Sequence, residues 1–464
     1  MIKTLLIREL QNFIYGLRFQ VSFVIVILVF TIGSFAFISS YTETQTNNLQ
    51  HKQSEQTTLE ERVFNVSKVA TSQQRFFMTP IDNGIISDCK DGFLPNQIFY
   101  NAYNVFNFSI RYYAQNPLMD RVESLSWSFI VSMFISFIVL LFAFDAVSGD
   151  KEDRTLTLVL SNSVPRSLFL LSKFVSIITV VGVMVITGII LSVLIMTISG
   201  KVNIDGNFLV ETVSFIGVTL LLITVFALFG LFSSVITRHS NVSLLISLCF
   251  WLLVAVVIPN TSVFWAKKLF SIPSASQIEA IIDAEHDDIK RNSPEGSWAY
   301  YGSIPFHPSH QPRATNMINL MNAEKRHKDV YYQQMFQQFE KTRNITALSP
   351  ITQFDYINEA LLGGGYMRFR KNWDDLHVFQ PMFLQWFKDV DAKDDKSPHW
   401  YNPYEEASTS KTPVEIDQIP IYQEQTVPFS QRILFILPYL IAMIVTVGVL
   451  FVACFYSFGR YDVR

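Results

Sequence analysis

The residues of this 464-residue chain whose types and spacing could do chemistry are concentrated in one run, Gly149–Lys173 (GDKEDRTLTLVLSNSVPRSLFLLSK), set between two long apolar segments. Asp150, Lys151, Glu152, Asp153 and Arg154 alternate acids and bases; Leu156, Leu158, Val159 and Leu160 follow, then a polar break, Pro165 and Arg166. Helical spacing puts Leu156, Val159 and Leu160 on one face, with Glu152, Asp153 and the hydroxyls of Thr155 and Thr157 mostly elsewhere. A short amphipathic helix pinned between two membrane spans cannot move without moving them. It therefore suits transmission of force from a soluble partner. The plainer reading of the same residues is a basic loop that only fixes membrane topology.

Other chemistries find less support. No G-x-x-x-x-G-K-S/T phosphate cradle occurs, so the chain is not itself an ATPase. Gly363-Gly364-Gly365 has no following Lys-Ser and reads as a helix bend. Glu285, His286, Asp287, His307 and His310 could meet around a metal, yet no HExxH or paired-cysteine spacing supports it, and the plainer reading is solvated histidines. Cys249 and Cys454 fall in apolar runs, which leaves Cys89 to face water, as a lone thiol or, less simply, an intermolecular partner.

What must position these residues is a membrane. Half the chain (50%) is hydrophobic, with 41 Phe and only 16% charged residues, where a soluble protein carries roughly 25% charged. Several apolar runs exceed the ~20 residues that cross a bilayer. The net charge of −3 gives no case for nucleic-acid binding. Asp145, Lys173 and Glu211 lie at span boundaries, and the span interiors are essentially free of ionisable groups. Gradient-driven carriers need such groups inside. Energy must then come from outside the chain.

In order, residues 1–17 read as an interfacial amphipathic helix whose apolar face is Ile2, Leu5, Leu6, Leu10, Phe13, Ile14 and Leu17. A first span follows (18–41), then a polar insert (42–124) with a helix near 52–75 and an irregular stretch from Phe77 to Pro95. Tyr100, Tyr103, Phe106, Phe108 and Tyr112 read as an aromatic belt ahead of the second span (125–147). The charged loop (148–173) leads to spans three to five (174–258), the fifth ended by Pro259. A large insert (259–431) shows helical patterns over 274–292 and 314–345, a glycine bend between two more helices, and a proline-rich end from Ser397 to Val427. A sixth span (432–458) and a short tail (459–464) close the chain.

Lys3, Arg8, Arg18, Lys151, Arg154, Arg166, Lys173, Arg238, Arg460 and Arg464 fall on one side of this arrangement, against Lys201 alone in the short opposite loop. The positive-inside bias makes both termini and the central loop cytoplasmic, and both inserts extracytoplasmic. The fold expected is an all-α polytopic membrane protein with six transmembrane helices, an N-terminal interfacial helix and two extracytoplasmic inserts, the larger mainly helical.

The central stretch resembles the loop signature of type-2 ABC exporter permeases, Gly-Glu-Lys-Glu-x-Gly-Thr-Leu, an apolar run, then Ser-x-Pro-Val-x-Arg. Gly149, Lys151, Glu152, Thr155, Leu156, Ser161, Val164 and Arg166 match; Asp150 replaces the Glu, Arg154 the Gly and Ser163 the Pro, with a proline at 165 instead. The two inserts resemble a branch with enlarged extracytoplasmic domains. The resemblance implies a permease subunit, not an enzyme, in the cytoplasmic membrane of a bacterium, exporting or extracting a substrate. ATP and Mg would be held by a separate dimer of ATPase subunits. A second permease, identical or a paired relative, would complete the complex, with membrane lipid around it and an envelope partner on 260–430. Gly149, Lys151, Glu152, Arg154, Thr155, Leu156, Val159, Leu160 and Arg166 would then form the ATPase-coupling element. The rival is a membrane-anchored receptor or scaffold without transport, which leaves the charged loop without a role; a membrane enzyme is weaker still.

The topology is testable directly. With Cys89 removed, single cysteines at Ser148, Arg238 and Asp462 should resist a membrane-impermeant thiol reagent in intact cells, while one at Ser397 should react. Labelling at Ser148 would overturn the orientation.

Overall fold

The structure, a computed structural model, describes residues 2–89, 94–110, 125–161, 164–299 and 310–461. The described residues are all-α except for one small sheet, 74% helical, with six helices among them long and apolar enough to cross a membrane. The chain is a multi-pass membrane protein.

A short helix α1 (Ile2–Tyr15) turns at Gly16 into α2 (Leu17–Glu60), 44 residues without a break. The first span was expected to stop near residue 41, with a separate helix near 52–75. Instead one helix crosses the apolar run and continues through a Gln/Thr-rich stretch that has neither glycine nor proline. Thr42, Thr46, Thr57 and Thr58 each donate their hydroxyl to the carbonyl four residues back, so these side chains do not compete for turn conformations. After Glu60 come α3 (Val66–Thr71) and the strands β1 (Gln74–Phe77), β2 (Gln97–Tyr100) and β3 (Val105–Ser109), an antiparallel meander in that order.

The second span, α4 (Trp127–Glu152), is π-helical over Ile130–Ile135 and resumes its last turn at Ser148–Glu152. The loop helix α5 (Thr155–Ser161) follows, then spans α6 (Arg166–Ser199), α7 (Gly206–Ile236) and α8 (Ser240–Leu269). Pro259 does not end the fifth span. It falls in the first turn of the helical segment Ile258–Leu269, directly after a π-helical turn at Leu253–Val257. The helix runs on through it: its missing N–H takes one donor from the ladder, and within the preceding π-turn the Val254 carbonyl accepts from the Ser349 hydroxyl at 2.6 Å.

Next come α9 (Ala275–Asn292), α10 (His310–Thr346), α11 (Pro350–Leu361), α12 (Gly365–Asp391) and the last span α13 (Phe429–Arg460). The glycine bend lies between α11 and α12, where Gly363 and Gly365 have φ of 66° and 62°. A Cβ on Gly365 would meet the Glu359 carboxylate, which instead accepts from the Tyr366 backbone N–H at 2.8 Å.

Two apolar cores result. One is the bundle of spans, where α2 and α6 approach closely: a Cβ on Gly188 would come within 2.7 Å of the Phe30 ring. Ile351, Phe354 and Leu362 belong to this core, so α11 and the bend rest on the bundle. The second core is a globular domain built from both inserts. Val66, Ile98, Tyr100, Tyr103 and Val105 of the first pack with Phe336, Phe369, Trp373, Phe383 and Phe387 of the second. The expected aromatic belt is therefore interior. Phe108 lies 5.1–5.9 Å from the rings of Tyr332, Phe336, Phe369 and Trp373. Its position on a strand turns it inward, a period of two that the helix-based reading passed over. Tyr112 lies outside the described residues. Cys89, expected to face water, is only 2% exposed.

One ion pair binds the domain's pieces. Arg368 on α12 grips both oxygens of Glu424, which also accepts from Asn372 at 2.8 Å and from the Thr79 hydroxyl at 3.1 Å. Burial pushes the Glu424 carboxyl up, but its hydrogen bonds and the Arg368 charge outweigh that and hold it below the ordinary carboxylate value. A depressed folded pKa gives stability that is present above the unfolded value of about 4.3 and lost as pH falls through the folded one.

Two outcomes are expected. Acidification below about pH 4.3 should loosen the globular domain, and Glu424→Gln should flatten that loss; equal acid sensitivity in the variant would exclude the pair as its source. Trp373→Ala should cost about 3–5 kcal/mol and open both inserts to limited proteolysis together, because they share a core. Cleavage confined to the second insert would contradict that.

Candidate functional site

The charged run at positions 149–166 sits against the end of α7, the start of α8 and the end of α13. Its first turn continues the second span: the backbone N–H groups of Val147 and Ser148 donate to Ser234 Oγ on α7 at 2.9 and 2.8 Å. Lys151 and Glu152 then reach to the two sides of the Thr237–Ser240 turn joining α7 to α8. Lys151 Nζ donates to the carbonyls of Ser234 (3.2 Å), Val235 and Thr237 (2.7 Å), the unsatisfied acceptors at the end of α7. Glu152 accepts from the Ser240 N–H at 3.0 Å and the Ser240 hydroxyl at 2.8 Å, at the start of α8. A cation meets the negative end of one helix and an anion the positive end of the next.

The neighbouring residues fasten the remaining elements. Asp150 pairs at 2.8 Å with Lys173 of α6, which also lies 3.2 Å from Glu9 of α1. Lys173 is buried, so three elements meet on one desolvated ammonium. Thr155 donates to Asp150 Oδ1 at 3.0 Å and holds that carboxylate in place. Arg166 donates from Nη1 to the carbonyls of Gly459 and Tyr461, at 2.8 and 2.9 Å, at the end of α13. The Lys151 ammonium lies 4.4 Å over the Tyr461 ring. Arg18, opening α2, pairs with Asp145.

Arg154 has φ of 57°. It stands where the type-2 signature carries glycine, and the left-handed conformation is what glycine adopts without cost. The turn keeps its shape with an arginine, at about 1–2 kcal/mol of backbone strain.

The loop helix faces the other way from its sequence-derived role. Leu156 is 2% exposed, and Val159 and Leu160 pack beside it against the core of the spans. Their shared face is real, but the chain's own bundle occupies it. The outward face carries Asp153, Arg154, Thr157 and Ser161 around Leu158, which is 67% exposed. Gly149 meets nothing closer than 3.8 Å at its Cβ position, so no close approach requires a glycine there. Sequence spacing identified the residues; their role as caps on distant helix ends was not visible in it. The available signal was a Lys-Glu pair together with a four-residue turn between two spans.

The residues weighed for a metal are engaged elsewhere. Glu285 is bound by Arg326 and His327, His286 Nε2 lies 3.1 Å from the Leu320 carbonyl, and the His310 ring meets Trp400 edge-on. His307 lies outside the described residues, among which no three acidic, His or Cys side chains are placed to hold a metal.

Six candidate spans, counted among the described residues, thus meet this loop at one end of the bundle. The family model described as ABC-2 family transporter protein matches residues 3–463, and the chain belongs to that family. It is the membrane permease subunit of an ABC transporter, which works with an ABC ATPase subunit. No curated protein matches the chain at a significant level.

Arg154→Gly should leave the thermal midpoint unchanged or slightly raised, because relief of about 1–2 kcal/mol is offset by roughly 0.5–1 kcal/mol of added chain entropy. Arg154→Val should lower it. A larger loss for Gly than for Val would remove the left-handed turn from the account. Lys151→Ala should cost about 1.5–3 kcal/mol and raise hydrogen exchange at the end of α7 before it rises elsewhere in the bundle.

Proposed function

We propose that this permease couples ATP hydrolysis on a separate ATPase dimer to export, or extraction, of a substrate at the cytoplasmic membrane of a bacterium. Both termini and the charged loop are cytoplasmic in this reading, and the globular domain is extracytoplasmic. Two permease chains, identical or related, join two ATPases that hold the ATP and Mg. The observation that carries the reading is the convergence on positions 150–166 of contacts to α6, α7, α8 and α13, with α1 joined through Lys173, which Asp150 and Glu9 share. A push on this loop is felt at once by four spans and the N-terminal helix. Nucleotide-dependent closure of the ATPases would bias the bundle between two arrangements, each favoured by one nucleotide state.

The ATPase contacts the outward face of the loop helix, centred on Leu158 with Asp153, Arg154, Thr157 and Ser161. Leu156, Val159 and Leu160 act from behind, carrying displacement into the spans. The globular domain offers an envelope partner a folded surface on 260–430, and lipid surrounds the spans.

The test separates the two faces. Leu158→Asp should leave the purified permease monodisperse with its thermal midpoint intact, yet weaken ATPase co-purification at least tenfold, since burying an unpaired carboxylate costs several kcal/mol. Leu156→Asp should instead reduce the yield of folded permease. If the Leu158 variant retains its ATPase in full, with turnover still responding to the permease, docking on this face is wrong.

A further inference from the structure

The globular domain contains a cavity of about 700 Å³, within the range of small-molecule sites. It runs along the far end of α2, with Lys52, Glu55 and Leu59 on successive turns and Arg62 just beyond the helix. Phe76 of β1 and Tyr422 form the facing wall, their rings edge-to-face at 4.8 Å. Its other end reaches the bundle, where Leu362 belongs to the core of the spans and Ile81 packs on it. Arg432, in the first turns of the last span, lines that end and donates to the Val427 carbonyl at 2.9 Å. The cavity therefore extends from the edge of the membrane-spanning region into the polar domain.

Its lining has two characters. Lys52, Arg62, Arg75, Arg368 and Arg432 face only two carboxylates, Glu55 and Glu424. Arg368 and Glu424 satisfy each other, and Glu55 lies 3.8 Å from Arg75. Among the described residues no carboxylate lies within 4 Å of Lys52 or Arg62, the two cations on the α2 side. Between them and the bundle the wall is apolar and aromatic: Leu59, Phe76, Tyr422, Ile421 and Leu362. Uncompensated cations beside an aromatic wall suit a ligand with a negative group at one end and an apolar body at the other.

We propose that this cavity binds an anionic amphiphile, its charged head at Lys52 and Arg62 and its apolar body along Phe76, Tyr422 and Leu362. The bundle-facing end allows entry from the bilayer. The inference stands apart from ATP coupling, because binding is read on the permease alone.

Full-length permease in phosphatidylcholine nanodiscs would be titrated with radiolabelled dioctanoyl phosphatidylglycerol. Saturable binding near one equivalent per chain is expected, at least tenfold tighter than for dioctanoyl phosphatidylcholine, with no measurable binding of glycerol phosphate at the same concentrations. Lys52→Glu combined with Arg62→Glu should weaken it at least tenfold. Ile421→Trp, at a position 53% exposed on the cavity wall, should block it without disturbing either core. Long-chain phosphatidylglycerol in the nanodisc should compete with the probe, because the bundle-facing end meets the bilayer; lack of competition would overturn entry from the bilayer. Equal binding of the two lipids, or affinity unchanged in both variants, would overturn the proposal.

Discussion

A four-residue turn between two antiparallel spans leaves the carbonyls of one helix end and the N–H groups of the next helix start side by side at a membrane surface. Those groups must be satisfied, and helix dipoles make the two ends opposite in sign. Adjacent residues of opposite charge, Lys151 and Glu152, meet both demands from a third span. Much else at this end of the bundle follows. Once Lys151 and Glu152 are committed to the turn, Asp150 points to Lys173, and the chain reverses through the left-handed Arg154. Leu156 is then delivered to the core and Leu158 to the surface.

The opposite end obeys a different constraint. Neither insert holds enough apolar surface alone, and each supplies what the other lacks: strands and a short helix from the first, aromatic helices from the second. Segments separated by more than 200 residues of sequence are thereby joined, as the bond from Tyr332 to the Phe106 carbonyl illustrates. The four spans between them are enclosed by that join. Truncating either insert removes half of a core, which makes the domain a structural clasp on the first and last spans as well as a surface.

The sequence made the long apolar helices legible, because a bilayer demands length and hydrophobicity that no other environment asks for. It also showed α9, α10 and the glycine bend, where helical period and turn residues agree. Span limits were less visible. Pro259 and the polar residues after Tyr41 both signal an end, and both lie inside continuing helices. Local signals of that kind are overridden when a π-turn precedes the proline or threonine hydroxyls fold back on the backbone. The sheet and the inward turn of Phe108 depend on partners far along the chain, which periodicity does not report. In the loop, the shared face of Leu156, Val159 and Leu160 was readable; which neighbour claims that face was not, since the bundle and a soluble partner ask for the same residues.

The uninterrupted α2 has a mechanical consequence. At 1.5 Å per residue its 44 residues make a strut of about 66 Å, anchored by Arg18 at the loop end and lining the cavity with Lys52 and Glu55 at the other. A strut without a joint converts angle into travel: a tilt of about 5° at its base sweeps its tip through roughly 6 Å. That sweep is comparable to the width of an aromatic ring. A tilt at one face of the membrane would thus be carried, with no intermediate part, into travel along the edge of the cavity beyond the other.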